Sequence, residues 1–218
     1  MKTLSYTQEF FLCTINDKGK IPALKGEIPA CLAVSGIMEL LSNGYLNRAE
    51  KDKLAAGKPW DDSLPYLKPL YETIVSLKKP LDIKDILMIY IGGFVIEQFY
   101  ELYKAIGVSL VESGYADELT KKGLIKEKPR RYVPKEEAIK NVVEKVRAEF
   151  LEDGMITEET LCLAAFLDAS GLISNYFSKF EAEAMKKRIK EARESGAYAL
   201  VKEAFDVTIG IKVISTSK

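Results

Sequence analysis

Apolar positions recur at helical spacing along most of this chain. Leu64, Leu67, Leu70, Tyr71, Ile74, Val75 and Leu77 form one stripe, ended by Lys78-Lys79-Pro80. Val95, Phe99, Leu102, Ile106 and Leu110 form a second, which stops at Gly114. Ile139, Val142, Val143, Val146 and Phe150 form a third within Lys135 to Leu151 and are expected to face inward. An apolar helix is expected over roughly Ile28 to Ser42, because Asn43-Gly44 is a good left-handed stop. Glu158 to Ala169 is nearly all apolar, which predicts a buried central helix ended by Gly171.

Between these helices the chain carries turn and cap signals. Ser5 with Gln8 reads as a capping box for a helix through about Cys13. Asn16 to Gly19 reads as a turn, and Lys20 to Gly26 as a loop containing Pro22. Tyr45 to Asp62 is polar and irregular, with room for a short hairpin. Asp82 is placed to cap a short helix to about Ile91, which Gly92-Gly93 breaks. Tyr115 to Pro134 predicts a β-hairpin with strands Ala116 to Leu119 and Leu124 to Val133, a turn near Lys122-Gly123, and Pro129 on an edge or bulge. Asn175 to Glu194 reads as one charged helix, and Gly196 separates it from a last helix over Ala197 to about Val213. No repeat, low-complexity tract or linker divides the 218 residues, so residues 1–218 are expected to form a single, mainly α, compact multi-helix domain with small β-hairpins at the surface.

Charge and composition narrow the function classes. Lysine plus arginine equals aspartate plus glutamate, 32 each, so any pull on nucleic acid or anionic lipid must come from a local patch. The longest charge-free apolar run, Ile86 to Ile96, is about half of the ~20 residues a spanning helix needs. No secretory signal is read in Met1 to Thr14, and the expected compartment is the cytoplasm, with peripheral membrane contact possible in principle. Cys13, Cys31 and Cys162 sit in apolar contexts without paired spacing, which reads as buried thiols rather than a disulfide framework. There is no histidine, so the commonest general base and a leading zinc ligand are absent.

No catalytic set emerges: the chain lacks a nucleophile elbow, a glycine-rich phosphate loop and a zinc-protease motif, and neither a cofactor nor a metal is expected. Asp61-Asp62 are adjacent, but neighbouring carboxylates need not converge on one bond. Asp168 lies in an apolar helix, where burial would raise its pKa, although a buried Asp more often bonds backbone. Trp60 is either an interfacial anchor or a cover for the edge of the core. Lys186-Lys187-Arg188-Ile189-Lys190 is flanked by glutamates, as in a helix braced by pairs three or four apart. From Lys121 to Lys135 there are seven lysines or arginines and one glutamate, and the helix-plus-hairpin order of Val95 to Pro134 is how a winged helix reads. The helix before it carries three glutamates and only Lys104 between Glu97 and Glu112, which disfavours nucleic-acid readout.

Thr7-Gln8-Glu9-Phe10-Phe11-Leu12, the turn at Gly19, the helix Cys31 to Leu41 stopped at Asn43-Gly44, Leu110-Val111-Glu112-Ser113-Gly114 and the apolar Thr160 to Leu172 occur in an order that resembles the Golgi phosphoprotein 3 family. The resemblance covers almost the whole chain and implies stacked helices with small hairpins, no enzyme activity, and peripheral attachment to membranes. Eukaryotic members bind phosphatidylinositol 4-phosphate; this chain resembles a bacterial member. Carried over by position, the headgroup pocket's tryptophan and arginine fall on Leu24 and Ala33, and its two later basic positions on Tyr100 and Tyr103. None matches in residue type; Lys25 and Lys104 are the nearest cations. Two functions stay open beside nucleic-acid binding: a domain that binds anionic phospholipid headgroups, and a protein-interaction or regulatory module that kept the scaffold without the lipid site.

Overall fold

The structure is a computed structural model that describes residues 3–21, 27–91, 96–119, 130–152 and 154–195. Pro22, Leu24, Lys25, Gly92-Gly93, Val95, the hairpin tip with Lys122-Gly123 and Pro129, and the expected helix Ala197 to Val213 lie outside the described residues.

Three helices build the interior. α1 (Tyr6–Thr14) is started by the expected capping box: the Gln8 amide donates to Ser5 Oγ, and the Ser5 amide to Gln8 Oε1 at 3.2 Å. All nine of its residues are buried, polar ones included, so the polar side chains take partners from elsewhere. Gln8 donates to Ser109 Oγ at 3.0 Å, and Glu9 accepts from Lys145 at 2.5 and 2.6 Å. α2 (Glu27–Ser42) and α7 (Glu158–Ala169) pack against α1 and against each other. The sequence points to α7 as the buried centre; the structure puts α2 there equally, with Cys31 through Leu40 all buried. All three cysteines are buried, as their apolar contexts predict.

Two small antiparallel hairpins follow helix ends. α2 stops at Gly44, which takes φ 75°, and the Tyr45 amide returns to the Leu40 carbonyl at 2.9 Å. The chain then runs into β1 (Leu46–Arg48) and β2 (Leu54–Ala56), paired with Leu46 opposite Ala56. α5 (Ile96–Glu112) ends the same way at Gly114, φ 80°, with Tyr115 bonded back to Leu110 at 2.8 Å. It feeds β3 (Ala116–Leu119) and β4 (Arg131–Pro134), with Ala116 opposite Pro134 and Leu119 opposite Arg131.

α3 (Lys68–Val75), α4 (Ile83–Ile91), α6 (Glu136–Leu151), α8 (Ile173–Tyr176) and α9 (Lys179–Ser195) complete the shell. Three sequence expectations change here. The stripe from Leu64 divides into a 3₁₀ turn over Pro65–Leu67 and the shorter α3, because Pro65 and Pro69 favour helix starts, and Val75 points outward. The expected helix Asn175 to Glu194 is two helices: Phe177 is extended, and Ser178 restarts the chain with a second capping box, its amide donating to Glu181 at 2.7 Å and its hydroxyl accepting from the Glu181 amide at 3.3 Å. Asp168 is not buried; its side chain is partly exposed and pairs with Lys186 of α9 at 3.2 Å. As expected, Asp82 caps α4, accepting from the Asp85 amide at 2.9 Å.

Candidate functional site

The resemblance directs attention to the face of α5 that meets the turn after α1. That turn forms as its residues predict: Asn16 Oδ1 accepts from the Lys18 and Lys20 amides at 3.0 and 3.1 Å. It lies close on β4, where a Cβ on Gly19 would stand 2.8 Å from Arg131 Cβ. Tyr103, one of the carried-over positions, is buried beneath it and donates its hydroxyl to the Gly19 carbonyl at 3.1 Å. Burial raises the Tyr103 phenol above its ordinary range. Tyr100, one turn earlier on α5, stacks on Tyr103 with centroids 6.3 Å apart, and its hydroxyl oxygen accepts the Arg130 amide at 3.0 Å. Phe11 and Tyr132 meet Tyr103 at 5.2 and 5.4 Å. Tyr132 itself lies on Gly107, where a Cβ would come within 2.1 Å of its ring. Aromatic rings thus fill the space between α5, the turn and β4.

The remaining carried-over positions do not join this cluster as cations. Ala33 is sealed in the core on α2. Leu24 and Lys25 lie outside the described residues. Lys104 pairs with Glu101 at 3.4 Å and lines a cavity of about 290 Å³ with Pro65, Tyr66 and Pro69. Among the described residues, the cations beside the rings are Arg130, just before β4, whose guanidinium reaches Glu118 at 3.5 Å across the hairpin, and Arg131 at the start of β4. α5 does not suit the role of a recognition helix, since the residues of most exposure among those described in it, Glu97 and Glu112, are both acidic.

The other sequence candidates resolve into structural contacts. Trp60 covers the edge of the core between Tyr45 and Tyr71, with centroids 4.8 and 4.9 Å away, and donates to Asp62 at 2.6 Å. Asp61 turns the other way: it accepts from Tyr45 and from the Ser63 hydroxyl and amide, which together hold its carboxyl well below the usual range. The two carboxylates do not converge. In the basic run of α9, Lys187 and Lys190 make the expected pairs with Glu191 and Glu194, both at 3.8 Å. Arg188 has a role with no local signal in the chain: its guanidinium donates to the carbonyls of Glu149, Phe150 and Gly154 at 3.1, 2.6 and 3.0 Å, closing the end of α6.

A second concave feature was not anticipated from the sequence. A cavity of about 300 Å³ lies where the start of α1, the end of α2, the Pro65–Leu67 turn and the end of α5 meet. Glu39 contributes to its wall, is only 4% exposed, and accepts the Tyr66 hydroxyl through Oε1. The only sequence signal was a glutamate in the middle of an otherwise apolar run, Ile37-Met38-Glu39-Leu40-Leu41.

Comparison with protein families decides the assignment. The family model of Golgi phosphoprotein 3 (GPP34) matches residues 7–208. The chain belongs to that family. No curated protein gave a match to this sequence. The GPP34 match runs from the second residue of α1 through both hairpins and the other two interior helices, so the scaffold here is the family's. Among the described residues no helix is long and apolar enough to cross a membrane.

Proposed function

We propose that this GPP34 domain is a non-enzymatic, peripheral docking module of the cytosolic membrane face, which meets anionic phospholipid through diffuse charge rather than through a grip on one inositol phosphate. The observation that carries this reading is the ring cluster at Tyr100 and Tyr103. Both hydroxyls are engaged by backbone, and neither side chain can offer the charge-assisted bonds that a phosphomonoester requires. The adjoining segment from Lys121 to Lys135 still holds seven cations against one glutamate, enough for attraction to an anionic surface without a shaped pocket. A non-enzymatic role is supported by the chemistry of the obvious candidates. Burial pushes the Cys13 thiol up to about 12, Asp61 and Asp62 serve separate local bonds, and Asp168 is ion-paired. Co-sedimentation with phosphatidylglycerol or cardiolipin vesicles, against phosphatidylcholine vesicles, tests the reading. Binding to the anionic vesicles alone is expected; equal recovery with all three, or with none, would contradict it.

A second reading, a protein-interaction module without lipid binding, is favoured by the large apolar side chains at Met155 and Phe180, which are 94% and 79% exposed. Its mark would be a stoichiometric partner recovered from the native cell whether or not lipid is extracted first.

A further inference from the structure

The cavity at Glu39 plays no part in the docking reading above. Among the described residues its wall draws two carboxylates, Glu39 and Glu112, and no lysine or arginine. Several of its donors are already committed. The Tyr66 hydroxyl donates to Glu39 Oε1, Gln8 Nε2 to Ser109 Oγ at 3.0 Å, Asn43 Nδ2 to the Glu39 carbonyl at 2.8 Å, and the Ser109 hydroxyl to the Ile106 carbonyl at 2.7 Å. The two carboxylates remain as acceptors. One oxygen, Glu39 Oε2, has no hydrogen-bond partner among the described residues although the side chain is almost wholly buried. A buried carboxylate oxygen without a donor is costly to the fold, so a ligand that brings a donor is favoured there.

The chemistry of that ligand follows by comparison. An anion would meet two carboxylates and, among the described residues, no cation. A neutral polyol would bring no charge to answer the two carboxylates. A bare metal ion is far smaller than the cavity, and among the described residues no three acidic, cysteine or histidine side chains are grouped to hold one. An ammonium group supplies three donors, a positive charge and no acceptor. A volume of about 300 Å³ suits a small molecule. We infer that this cavity binds a small primary amine, with its ammonium group against the Glu39 carboxylate and Glu112 attracting it from the rim.

Calorimetric titration of the full chain near neutral pH with 1,4-diaminobutane and with ethanolamine, and with glycerol as the neutral control, tests this. Saturable binding of an amine and none of glycerol is expected, weakened roughly tenfold or more in Glu39→Gln, since that isosteric change removes a charged hydrogen bond. No saturable binding of either amine, equal binding of glycerol, or unchanged affinity in Glu39→Gln would overturn the site. A cooperative melt of Glu39→Gln shows that any loss is not unfolding. Should that variant fail to fold, Glu112→Gln at the exposed rim serves instead, with weakening of roughly threefold expected from removing a nearby charge and unchanged affinity again overturning the site. Phosphatidylethanolamine vesicles that displace the free amine would identify a lipid headgroup as its source; vesicles that leave it bound would identify a soluble amine, and both uphold the site.

Discussion

Burial raises the Glu39 carboxyl above the ordinary carboxylate range, opposed by the hydrogen bond it accepts from Tyr66. The titratable groups facing it are Tyr6 of α1 and Tyr66 of the turn before α3, with Cys162 and Glu159 of α7 close to Tyr6. A folded-state pKa above the unfolded one means that the native protein holds this proton more tightly. The contribution of Glu39 is therefore complete below about 4.5 and is lost as pH rises through the raised folded value. Urea titrations should show Glu39→Gln gaining stability relative to its parent as pH rises above 4.5. A difference that stays constant with pH would contradict this. Glu9 is raised by burial too, opposed by Lys145, and being common to both proteins it cancels in the difference. Gly107 offers a test of the ring cluster. Alanine there improves helix propensity by about 1 kcal/mol, but its methyl would stand 2.1 Å from the Tyr132 ring, and overpacking typically costs ~1–3 kcal/mol. A net loss of roughly 1 kcal/mol in Gly107→Ala is expected by urea denaturation, and a gain would show that the ring has room to move.

At the scale of elements, the joint between α6 and α9 rests on Arg188. Its fork serves carbonyls that a helix end leaves without partners, and its guanidinium also lies over the Phe150 ring at 5.9 Å. Arg188→Ala should lower stability by roughly 1–3 kcal/mol, and Arg188→Lys should recover only part of it, because an ammonium cannot bridge several carbonyls as a planar fork does. Full recovery by lysine in a thermal melt would reduce Arg188 to a simple charge. The break at Phe177 has a local test as well. Arg147 and the Ser178 cap hold the Glu181 carboxyl down at about 2, so its contribution is present above 4.5 and is lost as pH falls toward 2. Glu181→Gln should therefore flatten the acid limb of the stability curve and leave the neutral region less changed. These elements also show what the sequence could and could not disclose. The stops at Gly44 and Gly114 and the capping box at Ser5 were legible because each is settled by residues within one turn. The Ser178–Glu181 box was equally local, yet the surrounding charge pattern read as one unbroken helix. Arg188 and Glu39 were not legible, because their partners lie 27 to 39 residues away and only the packing of helices brings them together.

For the whole molecule, the order of motifs was sufficient to place the chain in the GPP34 family. What the carry-over by position could not disclose is that Tyr100 and Tyr103 would stack on each other under the turn after α1, or that Ala33 would be enclosed by the core. The first depends on that turn lying on β4, a contact between residues over a hundred positions apart, and the second on the packing of α2 against α1 and α7. A surface attraction of this diffuse kind should collapse as salt rises, since exposed charges are screened beyond a Debye length of about 8 Å at physiological ionic strength. A shaped pocket would discriminate among lipids of equal charge. The decisive measurement is co-sedimentation with vesicles matched in surface charge, one set carrying phosphatidylinositol 4-phosphate and the other phosphatidylglycerol, across a salt titration. Equal binding to both sets, lost together as salt increases, is the expected result; a preference of about tenfold or more for the phosphoinositide, persisting at high salt, would contradict it.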